Sequence, residues 1–525
     1  MTRGNNEREA NGVRGHGSEG VAASFCGKAG GAALPLSRRQ FAQALTGGLA
    51  AMAVGGLGLF GCAPSKAEAT EAREVRDYDV VVLGGGGAGV TAAGWSATAG
   101  AKTVLLEKMA WLAGSSSLAL GGFYGAGTTV QKAAGIEDDP ASLLEYFLSC
   151  GGDKLDYDMQ EFCAYHFGET VDWLANDLQV DFQEEVLLKG KDTIPRQAKC
   201  RTNGMDALNP VTAFAQKAGA EFHFGMAAER LVVDDAGAVT GVIARNGAGE
   251  LVQYRAKSVI IATGGFCRNE EMIDKYCPDY SGVYTEVGVG CTGEGLQMGL
   301  DIGADYVGHG GTNGILACPV EAGQSKLISN KALWIDSKGE RFANEAGQTH
   351  DIYYSVARFD DQKFFAVYDQ AMVDALDDDL RSKFDLGLDQ GLFAKGQTVA
   401  EAADALGIDG ARAQETFDAY NELAASGEDT QFGKKAKSLV PLVQAPYYVL
   451  TMGVCTHGSF GGYRVNTSFQ VLDTAGDPIP NLYSAGEVCC GTFIYDDYPA
   501  GGCGLNWSYT SGRWAGTRAA EAALA

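Results

Sequence analysis

The sequence predicts an α/β protein in which a nucleotide-binding domain is interrupted by an α+β capping domain. Three observations carry this. A strand, a glycine turn, a helix and a second strand follow one another from Tyr78. A further apolar strand from Ser258 ends on glycines. Strand-like text then returns after Ala445, beyond a polar, acidic stretch.

The first observation is "DYDVVVLGGGGAGVTAAGWSATAGAKTVLLEK", Asp77 to Lys108. Val80 to Leu83 reads as a buried parallel strand. Gly84, Gly86 and Gly89 fit G-x-G-x-x-G: the first glycine makes the tight turn, the second lets backbone approach a pyrophosphate, and the third lets helix and strand touch. The pyrophosphate then sits on the helix N-terminus. The second strand, "TVLLE", ends at Glu107, placed to hold a ribose hydroxyl. The pattern predicts a Rossmann-like dinucleotide site.

The loop "AGSSSLALGGFYGAG" comes next, with Ser115, Ser116, Ser117 and Gly122. Small residues and hydroxyls there suit close contact with an isoalloxazine ring. Amphipathic helices follow, read as packing, with His166 as a structural histidine. The second observation, "SVIIATGGF", ends on Thr263, Gly264 and Gly265, a second close backbone approach to the same dinucleotide. The third sets the domain order: an N-terminal extension over 1–76, nucleotide-binding segments over 77–306 and 440–525, and the capping domain over 307–439.

The 525-residue length suits one large domain and a smaller one. A formal net charge of -25 argues against nucleic acid and against a basic membrane-surface patch. The 13 cysteines include no C-x-x-C pair, which speaks against a zinc ribbon, a thioredoxin-like site or c-type haem. No metal site is expected; an iron–sulfur cluster would need scattered cysteines, and the spacing does not support one. "SRRQF", Ser37 to Phe41, followed by an Ala/Gly/Leu run ending in "LFGC", reads as a Tat-type export signal. It predicts a periplasmic protein or one on the outer face of the cell membrane. Either Cys62 is lipidated or "AEA", Ala67 to Ala69, is cleaved.

With "ATGGF" and "NLYSAGE", the chain resembles the flavin-dependent fumarate reductase and 3-ketosteroid dehydrogenase superfamily. The resemblance covers about 77–525 and includes "TGEG", "GERFANE" (Gly339 to Glu345), Gly461–Gly462 and "LYSAGE". It implies noncovalent FAD, since the serine loop lacks the histidine of covalently flavinylated relatives. It implies a mobile cap, with substrate between cap and flavin. Glu487 would bind the ribityl or ribose chain, and the last helix, starting near Leu505 and Asn506, would aim its positive end at the flavin N1–C2 edge.

The departures bear on substrate. Fumarate reductases carry Thr-Arg-Asp after "NE", with the arginine as proton donor; this chain has Thr349 and His350 there. His350 is thus a candidate donor near pH 7, with Tyr353 and Tyr354 as rivals. A second family arginine clamps a carboxylate near the C-terminus; here stands Tyr498, in "YPAGGCGL". That stretch resembles the ketosteroid-type motif, whose tyrosine hydroxyl and following glycine N–H hold a ketone. Carried over, Tyr498 and Gly502 form an oxyanion hole. His457, in "CTHGSFGG", lies within a residue of a substrate-binding histidine of the dicarboxylate enzymes, and His309 falls in a cleft-lining segment. The expected activity is hydride transfer between flavin N5 and a C=C bond conjugated to a carbonyl, in an enone, lactone, or steroid-like or aryl enoate substrate. The alternatives are a fumarate- or urocanate-like carboxylate reductase and a flavin electron-transfer subunit. Reduction calls for an outside donor, such as a membrane cytochrome or quinone-linked protein.

Overall fold

The computed structural model describes residue 72 and residues 74–525, apart from 113, 152–153 and 322–324. The export signal and Cys62 lie outside the described residues. Among those described, no helix is long and apolar enough to cross a membrane.

The centre is a six-stranded sheet in the spatial order 470–472, 478–484, 258–261, 80–83, 103–107, 221–224. Five of the strands run parallel, and 470–472 pairs antiparallel at the edge. The strands at 80–83, 103–107 and 258–261 are buried throughout. A parallel sheet covered on both faces requires such unbroken apolar runs.

The helix Gly87–Thr98 packs along the C-terminal helix Cys503–Leu524. Their backbones nearly touch: a Cβ at Gly512 would lie 2.4 Å from the Ala88 carbonyl oxygen, and one at Gly516 would lie 2.4 Å from that of Ala92. Only glycine permits this seam. It explains the small residues of "SYTSG" and ties the end of the chain to the nucleotide turn at its start.

A four-stranded sheet joins 74–77, 251–255, 239–246 and 226–233. A third sheet is organised by the 13-residue strand Tyr447–Ser459. It pairs with 363–368 and 393–396 over its first half, and with 312–317 and 284–285 over its second. The sequence reading placed this strand in the closing nucleotide-binding segment. Its hydrogen bonds instead make it the spine of the sheet that runs through the capping region. Its alternation is weak because most of its residues are buried on both faces, so nothing in its pattern reveals its partners.

Candidate active site

A cavity of about 430 Å³ opens at the carboxyl ends of the central strands. Gly84, Gly86, Glu107, Ser115, Ser116, Thr263, Gly264 and Glu487 all line it. The helix from Gly87 has no side-chain cap at its N-terminus, which leaves first-turn N–H groups for an anion. A Cβ at Gly86 would meet nothing within 4 Å; it would project into open space that a pyrophosphate can use. Gly89 acts from behind: its Cβ would sit 1.9 Å from the Gly84 carbonyl oxygen.

Glu107 is held in place by the Gly85 and Met109 N–H groups, each donating to its carboxylate at 2.7 Å. The rest of its acceptor capacity remains for ribose hydroxyls. Ser116 Oγ accepts from the Gly87 N–H at 3.1 Å, and Ser115 Oγ from the Gly288 N–H at 3.2 Å. Glu487 is buried, and its carboxylate accepts from the backbone and hydroxyl of Ser459 at 2.8 and 3.1 Å. Burial pushes its carboxyl pKa up. Gly265 must be glycine because its Cβ would lie 2.0 Å from Glu487 Oε1. Thr263 Oγ1 is buried with no protein partner, a wall atom that a bound dinucleotide can satisfy. These residues fit FAD.

Besides Gly89 and Gly265, which act from behind, four expected cofactor residues lie outside this wall. Ser117 Oγ donates to the Gly114 carbonyl at 2.9 Å. Gly122 backs onto Gln197, 2.5 Å from where a Cβ would stand. Leu505 is buried in the first turn of the last helix. Asn506 is fully buried and donates to the Tyr124 and Phe167 carbonyls at 2.6 and 3.1 Å, anchoring that helix. Ser508, one turn further on, does line the cavity, as do Lys108 and Glu294, which pair at 3.0 Å. Glu294 belongs to the "TGEG" motif; no motif marks Lys108 or Ser508 for the cofactor.

The second constellation gathers around Tyr498. Its hydroxyl accepts from the Gly504 N–H at 2.7 Å, and Gly502 stands at the N-cap of the same helix. The helix N-terminus therefore addresses Tyr498 Oη directly. The hydroxyl hydrogen remains available to a substrate, while burial pushes the phenol pKa up and keeps the group protonated. The ring stacks on Phe460, centroids 5.8 Å apart and planes 9° apart, and lies 5.3 Å from the His350 ring. The Tyr498 N–H donates to Tyr354 Oη at 3.2 Å.

His350 Nε2 lies 3.1 Å from Asn313 Oδ1. With that oxygen as acceptor, the neutral ring carries its hydrogen on Nε2 and a lone pair on Nδ1. Burial is the main cause that pushes its pKa down to about 4, against Asp351; His457, Lys189 and Lys191 add to the fall. The expectation of a histidine exchanging protons near pH 7 is thereby corrected: His350 is neutral there. Tyr353 is corrected as well. It is fully buried, and its hydroxyl is bound between Thr312 Oγ1 at 2.8 Å and Thr456 Oγ1 at 2.9 Å, as a brace across the sheet. His457 lies 3.7 Å from Glu286. His309 is exposed against Tyr495, and His166 sits between Phe162 and Trp514.

Sequence reading missed the loop that closes on "YPAGG". Tyr146 Oη donates to the Pro499 carbonyl at 2.5 Å and accepts from the Lys191 N–H at 3.2 Å. Gln197 donates to the Gly501 carbonyl. A buried ionic cluster, Arg196 with Asp138 and Asp192, holds the base of this loop. Lys191 pairs with Asp351 at 3.3 Å, and the stem of Lys189 lies against Gly501. Nothing near 186–197 in sequence signals this, because the contact spans about three hundred residues.

A family described as FAD binding domain matches residues 79–505. Urocanate reductase of Eggerthella lenta is 32% identical over 465 residues, covering 85% of this chain and 75% of that protein. An open flavocytochrome c3 fumarate reductase superposes with a TM-score of 0.72 at 25% identity, covering 94% of this chain and 82% of the other. The 3-ketosteroid-Δ4-(5α)-dehydrogenase of Rhodococcus jostii RHA1, solved with 4-androstene-3,17-dione, gives 0.70 at 26%, covering 86% and 98%. The chain belongs to the FAD binding domain family, and is an FAD-dependent oxidoreductase of the superfamily that joins the fumarate and urocanate reductases to the ketosteroid dehydrogenases.

Proposed function

We propose that this chain reduces a carbon–carbon double bond conjugated to a carbonyl, in an enone, lactone or aryl enoate, with Tyr498 as the carbonyl-holding group. The observation that carries the reading is the Gly504 N–H donating to Tyr498 Oη. A helix N-terminus polarises the phenol, and the phenol's own hydrogen is free for a substrate oxygen. Bound FAD supplies the hydride. As hydride reaches the β-carbon, negative charge grows on the carbonyl oxygen, and Tyr498 Oη donates to that oxygen. The α-carbon then takes its proton from water. His350, neutral and fixed by Asn313, offers Nδ1 as an acceptor that orients a substrate hydroxyl. Phe460 and Tyr498 form an aromatic wall that suits a flat ring.

A carboxylate substrate is the second reading, favoured by two features. The urocanate reductase relative shares 32% identity, and Lys189 and Lys191 lie near enough to bear on His350. The twin-arginine segment at Ser37 to Phe41 supports export. Export in turn calls for an external electron donor, of the membrane cytochrome or quinone-linked kind.

The test is anaerobic reduction of the holoenzyme with a viologen dye, followed by a panel of acceptors. Reoxidation by enones or aryl enoates but not by fumarate is expected. Rapid reoxidation by fumarate would overturn the first reading in favour of the second. No reoxidation by any of them would point to an electron-transfer subunit.

A further inference from the structure

The strand Tyr447–Ser459 carries a second cluster near the cleft. Cys455 and His457 stand two residues apart on it, so both side chains leave the same face. The short strand Tyr284–Thr285 runs parallel beside them, with Tyr284 opposite Cys455 and Thr285 opposite Thr456. Its continuation sets Glu286 next to His457, with the Glu286 N–H donating to the Thr456 carbonyl at 3.0 Å. One thiol sulfur, one imidazole nitrogen and one carboxylate oxygen converge, all within 4.8 Å of one another.

His457 and Glu286 make a loose ion-pair contact. His457 Nε2 lies 3.7 Å from Glu286 Oε2, beyond hydrogen-bond range. That nitrogen is buried without a hydrogen-bond partner, which is unfavourable unless something fills the gap. A cation fills it. Sulfur, nitrogen and oxygen donors in one three-ligand set are the chemistry of zinc and its relatives, with a fourth position left to water. Closing the three atoms onto one ion needs a contraction of about 1 Å. Two anionic ligands neutralise a divalent ion. Burial and Glu286 hold the Cys455 thiol pKa up, against Arg268, so the ion itself must displace the thiol proton.

We propose that Glu286, Cys455 and His457 form a binding site for a zinc-class divalent cation, and that its occupancy inhibits the reductase. Asn313, the hydrogen-bond partner of His350, sits opposite Gly458 in the sheet, one residue from His457. An ion held by His457 takes that imidazole from the cleft and places positive charge beside it. Binding exchanges the Cys455 proton for the metal, with no change of oxidation state. The binding half stands apart from the substrate reading.

The test uses FAD-loaded full-length protein stripped of metal. Equilibrium dialysis against zinc should give one tightly held ion per chain. Cobalt should produce a thiolate-to-cobalt charge-transfer band in the difference spectrum. Cys455→Ser, which keeps the volume, and Glu286→Gln should each weaken zinc binding at least tenfold while flavin content stays unchanged. With the acceptor that the panel selects, zinc should inhibit the wild type reversibly, and Cys455→Ser should escape inhibition. Equal zinc binding by Cys455→Ser would assign the ion to other thiols and overturn the site. A missing thiolate band would do the same, and zinc that binds here without slowing turnover would overturn the inhibitory role.

Discussion

The cofactor cavity is walled mostly by backbone, whereas the cleft around Tyr498 is walled mostly by side chains. In the cavity, glycines bring carbonyls and N–H groups within reach of a ligand, and the two acids are held by backbone donors. In the cleft, Asn313, His350, Phe460 and Tyr498 arrive from separate segments, and the Lys189 stem lies against Gly501 beside them. A backbone wall tolerates few changes and serves one ligand. A side-chain wall can be rewritten a residue at a time, which suits a superfamily that keeps its cofactor and varies its substrate.

The sharpest way to break this contrast is at Gly89. Gly89→Ala puts a methyl 1.9 Å from the Gly84 carbonyl oxygen, so the turn must open. Loss of flavin from the purified protein is expected, with destabilisation of about 3 kcal/mol or more. The flavin-to-protein ratio checks it; full occupancy in the variant would mean that the close approach does not build the cradle.

The same contrast explains what was legible in sequence. Gly84, Gly86, Gly89 and Glu107 lie within 24 residues and act through local backbone, so their spacing alone announces the site. Tyr498 and Glu487 were found only through resemblance to known motifs. Lys189 and Asn313 were invisible, because what places them is long-range pairing and a buried Arg196 cluster. Tyr353 misled for a similar reason: proximity in sequence to His350 hides that its side chain points into the sheet, onto Thr312 and Thr456. Asn506 was read as part of the cofactor site, but its amide is occupied in holding the helix.

His350 sharpens the cleft side of the comparison. Its pKa is depressed, so the folded protein keeps the ring neutral down to about pH 4. The unfolded chain takes up a proton near the ordinary 6.5. Stability from the neutral ring is therefore full above pH 6.5 and lost as pH falls toward 4. Turnover against pH should show no inflection from His350 between 5 and 8. His350→Leu should lower kcat about tenfold, and a wild-type inflection near 6.5 that vanishes in this variant would restore the proton-donor role.

The smallest effect belongs to Lys189, which is exposed. Lys189→Ala should raise KM for carboxylate acceptors by about threefold, less at high salt, and leave uncharged enones unchanged. An equal change for both classes would remove charge recognition from that loop.

The carbonyl-holding role of Tyr498 is the centre of the account. Single-turnover reoxidation of the reduced Tyr498→Phe enzyme by the acceptor selected in the panel tests it most directly. The account predicts full flavin content and a rate lower by about a hundredfold or more. A wild-type rate in that variant would contradict it.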